Sequence, residues 1–190
     1  MDVIVPTIPP HCQSGQYRRT MASIAAQDYD GPITVHVELD TNRTGAAATR
    51  NRALERVTAD WVAFLDADDE WYPHHLRRCV DFAEALRADV VYPGYEVVGG
   101  DDPVNLFGHP FHSEWLRQTN FIPVTVVARA ELVREAGGFQ EHPDENGDPC
   151  EDWGLWLAML DRGATFAHVP DKTWRWHISE SSTKGRGDRW

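Results

Sequence analysis

The sequence of 190 residues predicts an α/β fold in a single domain, built on a mostly parallel central sheet flanked by helices. Three observations carry this prediction. Short apolar runs alternate with amphipathic stretches of helical spacing through the first half of the chain. The run Trp61–Leu65 is apolar at successive positions, which is typical of a strand buried on both faces of a parallel sheet. Acidic residues follow this run directly, at the end of the strand where open α/β sheets bind ligands.

The first half is expected to alternate strand and helix, and its elements are read from apolar spacing and from breakers such as Pro6. The predicted strands are Val3–Val5, Ile33–Leu39 and Trp61–Leu65, and the predicted helices are Tyr17–Ala26 and Ala46–Val57. Pro73 suits the first position of a third helix that continues to Leu86, because proline lacks the N–H that a helix start leaves unpaired.

The second half is more mixed. We expect strands at Asp89–Val98, Phe121–Ala128 and Thr165–Val169, and helices at Glu131–Ala136 and from Glu151 to a stop at Gly163. Gly137-Gly138 ends the first of these helices. Residues 104–119 show no clear period and are left unassigned.

Composition excludes several classes of protein. Hydrophobic residues make up 42% of the chain, which indicates a globular protein, and no apolar run approaches the roughly 20 residues needed to cross a bilayer. The cysteines Cys12, Cys79 and Cys150 are odd in number and far apart, which favours free thiols and a cytoplasmic location. The net charge of −12 argues against broad binding to nucleic acid or anionic lipid.

The acidic stretch Asp66-Ala67-Asp68-Asp69-Glu70 is the candidate ligand site. Neighbouring carboxylates repel one another unless a cation or a donor-rich ligand lies between them. An isolated D-A-D sequence is more often a solvated acidic turn, so its interpretation depends on the rest of the chain.

Seven short motifs, in order from about Val3 to about Ser182, resemble those of the family 2 glycosyltransferases, nucleotide-sugar enzymes of the GT-A fold. They are the strand Val3–Thr7, the S-I-x-x-Q segment Ser23–Tyr29, Gly45 with Arg50-Asn51, the DXD segment Phe64–Asp69, Gly137-Gly138-Phe139, the E-D-x-x-L-W-L segment Glu151–Leu157, and Trp174–His177. One departure is the loop Asp40–Gly45, which compresses an acidic turn and a short strand of the family into a few residues. A strand and part of the wall around the nucleobase are therefore expected to be missing or rebuilt.

The resemblance implies a metal-dependent, inverting glycosyltransferase that moves a sugar from a nucleoside-diphosphate sugar, with a UDP-sugar favoured, to an acceptor hydroxyl. It divides the chain into a Rossmann-like nucleotide-sugar half (about 1–98), an acceptor and catalytic half (about 99–178) and a flexible tail (179–190). Without a long C-terminal extension or a membrane helix, processive polysaccharide synthesis is disfavoured. Two alternatives remain: a GT-A-like module that binds nucleotide or glycan without turnover, and a metal-dependent nucleotidyltransferase or hydrolase.

Within this resemblance, Asp68 is the expected direct ligand of Mn²⁺ or Mg²⁺, because hard carboxylate oxygens suit these ions. Asp66 would hold the ribose or share the metal shell, and His177 would be a further ligand that favours Mn²⁺. Asp152 is the expected base, kept ionised by the dipole at its helix start. Helix capping alone would also explain Asp152, and a retaining route would need a carboxylate nucleophile such as Glu151.

Thr7 and Asp40 follow the first two strands and, with Arg50, are expected to bind the nucleotide. The alternatives are turn caps for Thr7 and Asp40 and a solvated helix face for Arg50. Lys184 and Arg186 could close over the diphosphate as a lid. Family layout alone places residues 92–95 and 120–125 beside the acceptor. That acceptor stays open between protein, glycan, lipid-linked and small-molecule hydroxyls, with modified DNA disfavoured by the charge; sugar identity and oligomeric state are not indicated.

Overall fold

A computed structural model describes residues 1–101, 107–143, 147 and 150–178. Its strands are β1 (Asp2–Thr7), β2 (Thr34–Leu39), β3 (Trp61–Phe64), β4 (Glu70–Trp71), β5 (Val90–Val98), β6 (Val127–Arg129) and β7 (Phe166–His177). Its helices are α1 (Gly15–Ala25), α2 (Ala46–Leu54), α3 (His75–Leu86), α4 (Ser113–Leu116), α5 (Ala130–Glu135) and α6 (Glu151–Asp161), with a 3₁₀ turn at His11–Gln13. The predicted tail and the candidate lid residues Lys184 and Arg186 lie outside these ranges.

The strands form one sheet in the order β2-β1-β3-β6-β5-β7-β4. The predicted α/β class is confirmed, and β1 pairs in parallel with both β2 and β3, as the alternating first half indicates. β5 is also parallel to β7, whereas β6 is antiparallel to both of its neighbours and β4 is antiparallel to β7. This topology gathers the carboxyl ends of β1, β2, β3, β5 and β7 at one edge of the sheet.

Apolar side chains cover both faces of the sheet, which explains why the strands are apolar at successive positions. On one face, Ile4 and Phe64 belong to a buried cluster with α2 and with the α6 residue Trp156. On the other face, Val3 and Leu65 belong to a second cluster with α1 and α3. Every residue of β1 is buried. The two clusters therefore fix the central strands, and with them the edge of the sheet at which the parallel strands end.

Several predicted elements have different bounds in the structure; the second helix, for example, ends at Leu54 and not at Val57. The third helix begins at His75, because β4 pairs with β7 and the N–H of Tyr72 still donates to the Thr173 carbonyl, at 2.8 Å. The predicted strand Phe121–Ala128 is reduced to β6. Its first residues are a buried irregular segment, and the indole of Trp156 donates to the Ile122 carbonyl at 3.2 Å.

The last strand is longer than predicted and continues through polar residues to His177. Its pairing with β5 shifts register around Gly94, where a Cβ atom would lie 3.1 Å from the carbonyl oxygens of Pro170 and Asp171. Glycine permits this close approach, and the irregularity hides the strand from a simple apolar pattern. None of the helices in the described ranges combines the length and apolarity of a membrane-spanning segment.

Candidate active site

The acidic stretch forms a tight loop between β3 and β4, at the edge where the parallel strands end. The N–H of Asp69 donates to the Asp66 carbonyl at 3.1 Å, which closes the turn. Asp69 is buried, whereas Asp66, Asp68 and Glu70 are half-buried. The loop therefore presents several carboxylates within one turn of chain.

Helix α1 holds the backbone of this loop. The buried hydroxyl of Thr20 lies 2.9 Å from the carbonyl oxygen of Ala67 and 2.6 Å from that of Asp69. The guanidinium of Arg19 donates to the Asp68 carbonyl at 2.9 Å. The hydrogen bonds from α1 to the loop carbonyl groups fix the loop, and Arg19 also lies 3.8 Å from the Glu70 carboxylate.

Replacing Thr20 by valine is expected to lower the free energy of unfolding by about 1–3 kcal/mol, because buried carbonyls of the loop lose their donor while the side-chain volume is kept. Urea unfolding measures the change. Thr58→Val is the matched control, since Thr58 is exposed and an exposed substitution changes stability by less than about 0.5 kcal/mol. Equal unfolding midpoints for the two variants would contradict this role of Thr20.

The buried guanidinium of Arg50 joins the acidic loop to the start of α6. Its Nη2 lies 2.6 Å from Asp66 Oδ1, and its Nη1 lies 2.7 Å from Glu151 Oε1. Arg50 is only 3% exposed, so the solvated helix face considered for it is wrong. Burial would lower the pKa of Arg50, but the charges of Asp66 and Glu151 outweigh it and raise that pKa. The acidic loop and the start of α6, which lie far apart in sequence, are thus joined by the Arg50 guanidinium.

Asn51, the neighbour of Arg50, fixes the loop that follows α5. Its amide group donates to the Phe139 carbonyl and accepts from the Phe139 N–H, both at 2.8 Å. The Phe139 ring in turn lies 5.3 Å from the Arg50 guanidinium carbon. A Cβ atom on Gly138, whose φ is +72°, would lie 2.4 Å from Asn51 Oδ1. The G…R-N and G-G-F motifs therefore support the Arg50 bridge.

Two carboxylates of the loop, those of Asp68 and Asp69, have raised pKa values. Burial, with the charge of Asp66 added to it, raises the pKa of Asp68 to about 6. Burial and the charges of Asp68 and Asp66 raise the pKa of Asp69 well above its ordinary value. A group whose pKa is raised in this way gains from a nearby positive charge.

His177, the last residue of β7, lies beside the loop. Its backbone N–H donates to Asp69 Oδ1 at 2.9 Å, and its Nε2 lies 3.3 Å from Glu70 Oε2. Burial, and then the charge of Arg19, lower the pKa of the imidazole. Arg175 also approaches Glu70, at 3.4 Å. Among the described residues, no three His, Cys, Asp or Glu side chains cluster closely enough to hold a metal ion by themselves.

Asp152 is the second residue of α6 and adjoins the Arg50 bridge through Glu151. Burial, with the charge of Glu151, raises the pKa of Asp152 to about 6, against donation by Cys150, the charge of Arg50 and the N–H of Trp153. The helix dipole was expected to favour the charged form; here desolvation and a like charge outweigh it. A carboxyl group of this pKa is still mostly ionised at pH 7 and accepts a proton more readily than an ordinary aspartate.

Asp40 is engaged by its own loop. Its carboxylate accepts from the N–H and hydroxyl of Thr44, both at 3.0 Å, and from the N–H of Gly45 at 2.9 Å. Although burial opposes them, these donors lower the pKa of Asp40. Thr7 is also buried, and its hydroxyl has no partner among the described residues. Asp40 thus fixes the turn before α2, and the Thr7 hydroxyl is enclosed without a partner among the described residues.

The sequence predicts Asp66 and Asp68 in the nucleotide-sugar half, and Asp152 and His177 in the acceptor half. The structure brings the two halves together at one edge of the sheet. The sequence did not predict the contacts of Arg19, which lies four residues before Ser23 and eight before Gln27. Ser23 Oγ accepts from the Trp71 N–H at 3.1 Å, and Gln27 donates to the Tyr72 carbonyl at 2.8 Å. This polar stripe at four-residue spacing was the available signal, because it marks the face of α1 that meets the loop.

The sequence model described as glycosyl transferase family 2 matches residues 17–134, more than half of the chain. The chain belongs to this family. TuaG of Bacillus subtilis, a glycosyltransferase assigned to teichuronic acid biosynthesis, is 31% identical over 134 residues, covering 69% of this chain and 52% of TuaG. This chain thus spans about half the length of TuaG.

Solved structures show the same GT-A-like fold. TarS of S. aureus, in complex with UDP-GlcNAc, has a TM-score of 0.72 at 21% identity and covers 94% of this chain and 58% of the TarS chain. The mannosyltransferase PcManGT from Pyrobaculum calidifontis, in complex with GDP-Man and Mn²⁺, has a TM-score of 0.67 at 18% identity, with 97% and 57% of the two chains covered. At these identities the similarity to TarS and PcManGT shows the fold alone.

Proposed function

We propose that this chain transfers a sugar from a nucleoside diphosphate to an acceptor hydroxyl, with a divalent cation on the diphosphate and inversion at the anomeric carbon. The observation that carries the proposal is the Arg50 bridge, which joins Asp66 to Glu151 at the edge where the parallel strands end. It places a carboxylate-rich loop and the carboxyl group of Asp152 beside one another. In this proposal the loop serves the charged leaving group, and Asp152 takes the proton from the acceptor hydroxyl.

The loop fits a divalent cation by the chemistry of its donors. The raised pKa values of Asp68 and Asp69 indicate carboxylates that lack a sufficient positive partner. Asp68 and Asp66 would supply hard oxygen ligands, with Arg50 keeping one oxygen of Asp66 occupied. When bound, the cation stabilises negative charge on the departing diphosphate. His177 stands next to this loop and remains a proposed ligand, with Glu70 as its partner in the structure described here.

Asp152 is the proposed general base. It is ionised at neutral pH, and its raised pKa brings it closer to the pH at which proton transfer is efficient. Glu151 is held by Arg50 at 2.7 Å, which disfavours its use as a covalent nucleophile. Direct attack by the acceptor, opposite the departing diphosphate, then inverts the anomeric centre.

The donor is proposed to be a UDP-sugar, by analogy with the ligand of TarS, with a GDP-sugar and Mn²⁺ as in PcManGT as the other combination to test. Thr7 and Asp40 are proposed to contact the nucleotide because they lie at the carboxyl ends of parallel strands, and the buried Thr7 hydroxyl has no partner among the described residues. Asn120 of the proposed acceptor border contacts Asp152, whereas Tyr92 is fully buried and donates to the His109 carbonyl at 2.8 Å.

A calorimetric measurement of donor binding tests this function. UDP-, GDP-, CDP- and dTDP-sugars are titrated calorimetrically with Mn²⁺, Mg²⁺ or chelator. We expect one nucleotide class to bind with cation present and to lose at least about tenfold in affinity with chelator, because the diphosphate and the loop carboxylates then repel. Asp68→Asn should reduce the effect of the cation. If no nucleoside-diphosphate sugar binds with either cation, the proposal is wrong. Pyrophosphate release, or sugar release without an acceptor, would identify the alternative enzymes.

A further inference from the structure

One carboxylate oxygen of Asp152 carries all the hydrogen bonds that this side chain makes among the described residues. Oδ1 accepts from the N–H of Trp153 at 2.8 Å, from Asn120 Nδ2 at 3.1 Å and from the Cys150 thiol at 3.3 Å. Oδ2 receives no donor from the described part of the chain. The two oxygens of the proposed base therefore differ in environment, although aspartate itself is symmetric.

The amide group of Asn120 has a defined orientation. Its Oδ1 accepts from the N–H of Ile122 at 3.2 Å, so its Nδ2 must be the atom that faces Asp152. The same Nδ2 lies 3.5 Å from the Cys150 sulfur. Asn120 and Cys150 thus approach Oδ1 from the loop before β6 and from the residue before α6. Reversing the amide would place its oxygen against a carboxylate and its NH₂ group against an N–H.

We propose that Asn120 and Cys150 are positioning residues that saturate Oδ1 of Asp152 and leave Oδ2 as the atom that takes the proton. This inference rests on the proposed function, because it assumes that Asp152 acts as the base. The hydrogen bonds fix the rotation of the carboxyl group and stabilise its charged form, which limits the increase in pKa that burial causes. Neither residue touches the reacting atoms.

The reaction step balances with the groups named. The acceptor O–H bond breaks as its proton moves to Oδ2, and the acceptor oxygen forms a bond to the anomeric carbon. The bond from that carbon to the diphosphate oxygen breaks, and the electron pair leaves with the nucleoside diphosphate. A free rotation of the carboxyl group would remove Oδ2 from the acceptor for part of the time, so the three donors to Oδ1 increase the fraction of productive geometry.

Variants that change one donor at a time test the inference. Asn120→Ala removes a donor to the charged form, so we expect the acidic limb of kcat/KM against pH to move up by about one unit, with kcat reduced about tenfold and donor KM unchanged. Gln118→Ala is the matched control, because Gln118 is an exposed amide two residues away. The control should leave both the limb and kcat unchanged.

Cys150 gives a pair of variants with opposite expected signs. Cys150→Ala removes the thiol donor and should move the limb to higher pH, whereas Cys150→Ser provides a stronger hydroxyl donor and should move it to lower pH. A general loss of packing would not reverse sign between these two variants. The pair also keeps the test decisive if Asn120→Ala does not fold.

A readout independent of transfer separates this inference from the proposed function. The ¹³C-carboxyl resonance of Asp152, assigned by its absence in Asp152→Asn, is titrated in each variant. Parallel shifts of this pKa and of the kinetic limb support the positioning role. No shift of the carboxyl pKa in Asn120→Ala or in either Cys150 variant overturns it and leaves the base assignment intact. Shifts of the carboxyl pKa without any shift of the kinetic limb overturn the base assignment, and with it the positioning role.

Discussion

Asp152→Asn is expected to reduce transfer by about 10²–10⁴-fold while donor binding is retained, because a general base contributes on that order to the rate. The asparagine oxygen can still accept from the Trp153 N–H, from Asn120 and from Cys150. The amide nitrogen that replaces the second carboxylate oxygen, however, cannot take the proton from the acceptor hydroxyl. Initial rates with saturating donor, together with calorimetric donor affinity, measure the two effects separately.

Thermal unfolding of the same variant tests whether a loss of folding causes the loss of transfer. The pKa of Asp152 in the folded chain, about 6, lies above its ordinary value of 3.8, so the folded state binds the proton more tightly. This contribution to stability is complete below pH 3.8 and is lost as the pH rises through 6. At pH 7.5 Asp152 is charged and destabilising, so Asp152→Asn should keep or raise the Tm.

The control lies at the other end of the same helix. Asp161 is an exposed residue whose ion pair with Arg117 spans 2.8 Å, and Asp161→Asn should leave transfer unchanged. In the unmodified chain the rate should rise with pH through about 6, as Asp152 loses its proton. Transfer by Asp152→Asn at the unmodified rate would remove this residue from the mechanism.

The sequence allowed the site to be located but not the contacts that organise it. The apolar run Trp61–Leu65 and the acids after it were visible because burial on both faces leaves a continuous pattern. Arg50 and Glu151, in contrast, are 101 positions apart, and no local pattern indicates that they pair. Tertiary contacts of this kind decide which arginine is solvated and which is buried.

The same limit applies to electrostatics and to strand boundaries. From sequence, the position of Asp152 at a helix start predicts a stabilised charge, and only its surroundings reveal that burial and Glu151 act more strongly. The polar end of β7, by comparison, is held by its pairing with β5, which local composition does not show. The order of the motifs was more informative than local charge or local strand pattern. Asn51 of the G…R-N motif and Gly138 of the G-G-F motif, for example, lie against each other in the structure.

Arg50→Met is expected to have the second large effect, because Arg50 neutralises two carboxylates at once. Asp66 is 34% and Glu151 24% exposed at their side chains, so both keep some contact with water. We therefore expect a loss of about 2–4 kcal/mol in unfolding free energy, below the largest cost of leaving a fully buried charge unpaired. Urea unfolding measures it, and donor affinity should fall because the acidic loop gains net negative charge.

A second substitution distinguishes charge from packing. If repulsion between Asp66 and Glu151 causes the loss, Arg50→Met combined with Glu151→Gln should recover a measurable part of the stability and of the donor affinity. Arg77→Met is the control, since Arg77 forms an ion pair with Asp28 in which the two side chains are 45% and 43% exposed, and its loss should cost less than about 1 kcal/mol. If the double variant is no more stable than Arg50→Met, the bridge acts through packing against Phe139, and the electrostatic account of the site fails. Recovery would instead show that the positive charge of the buried Arg50 holds the Asp66 loop beside the start of α6.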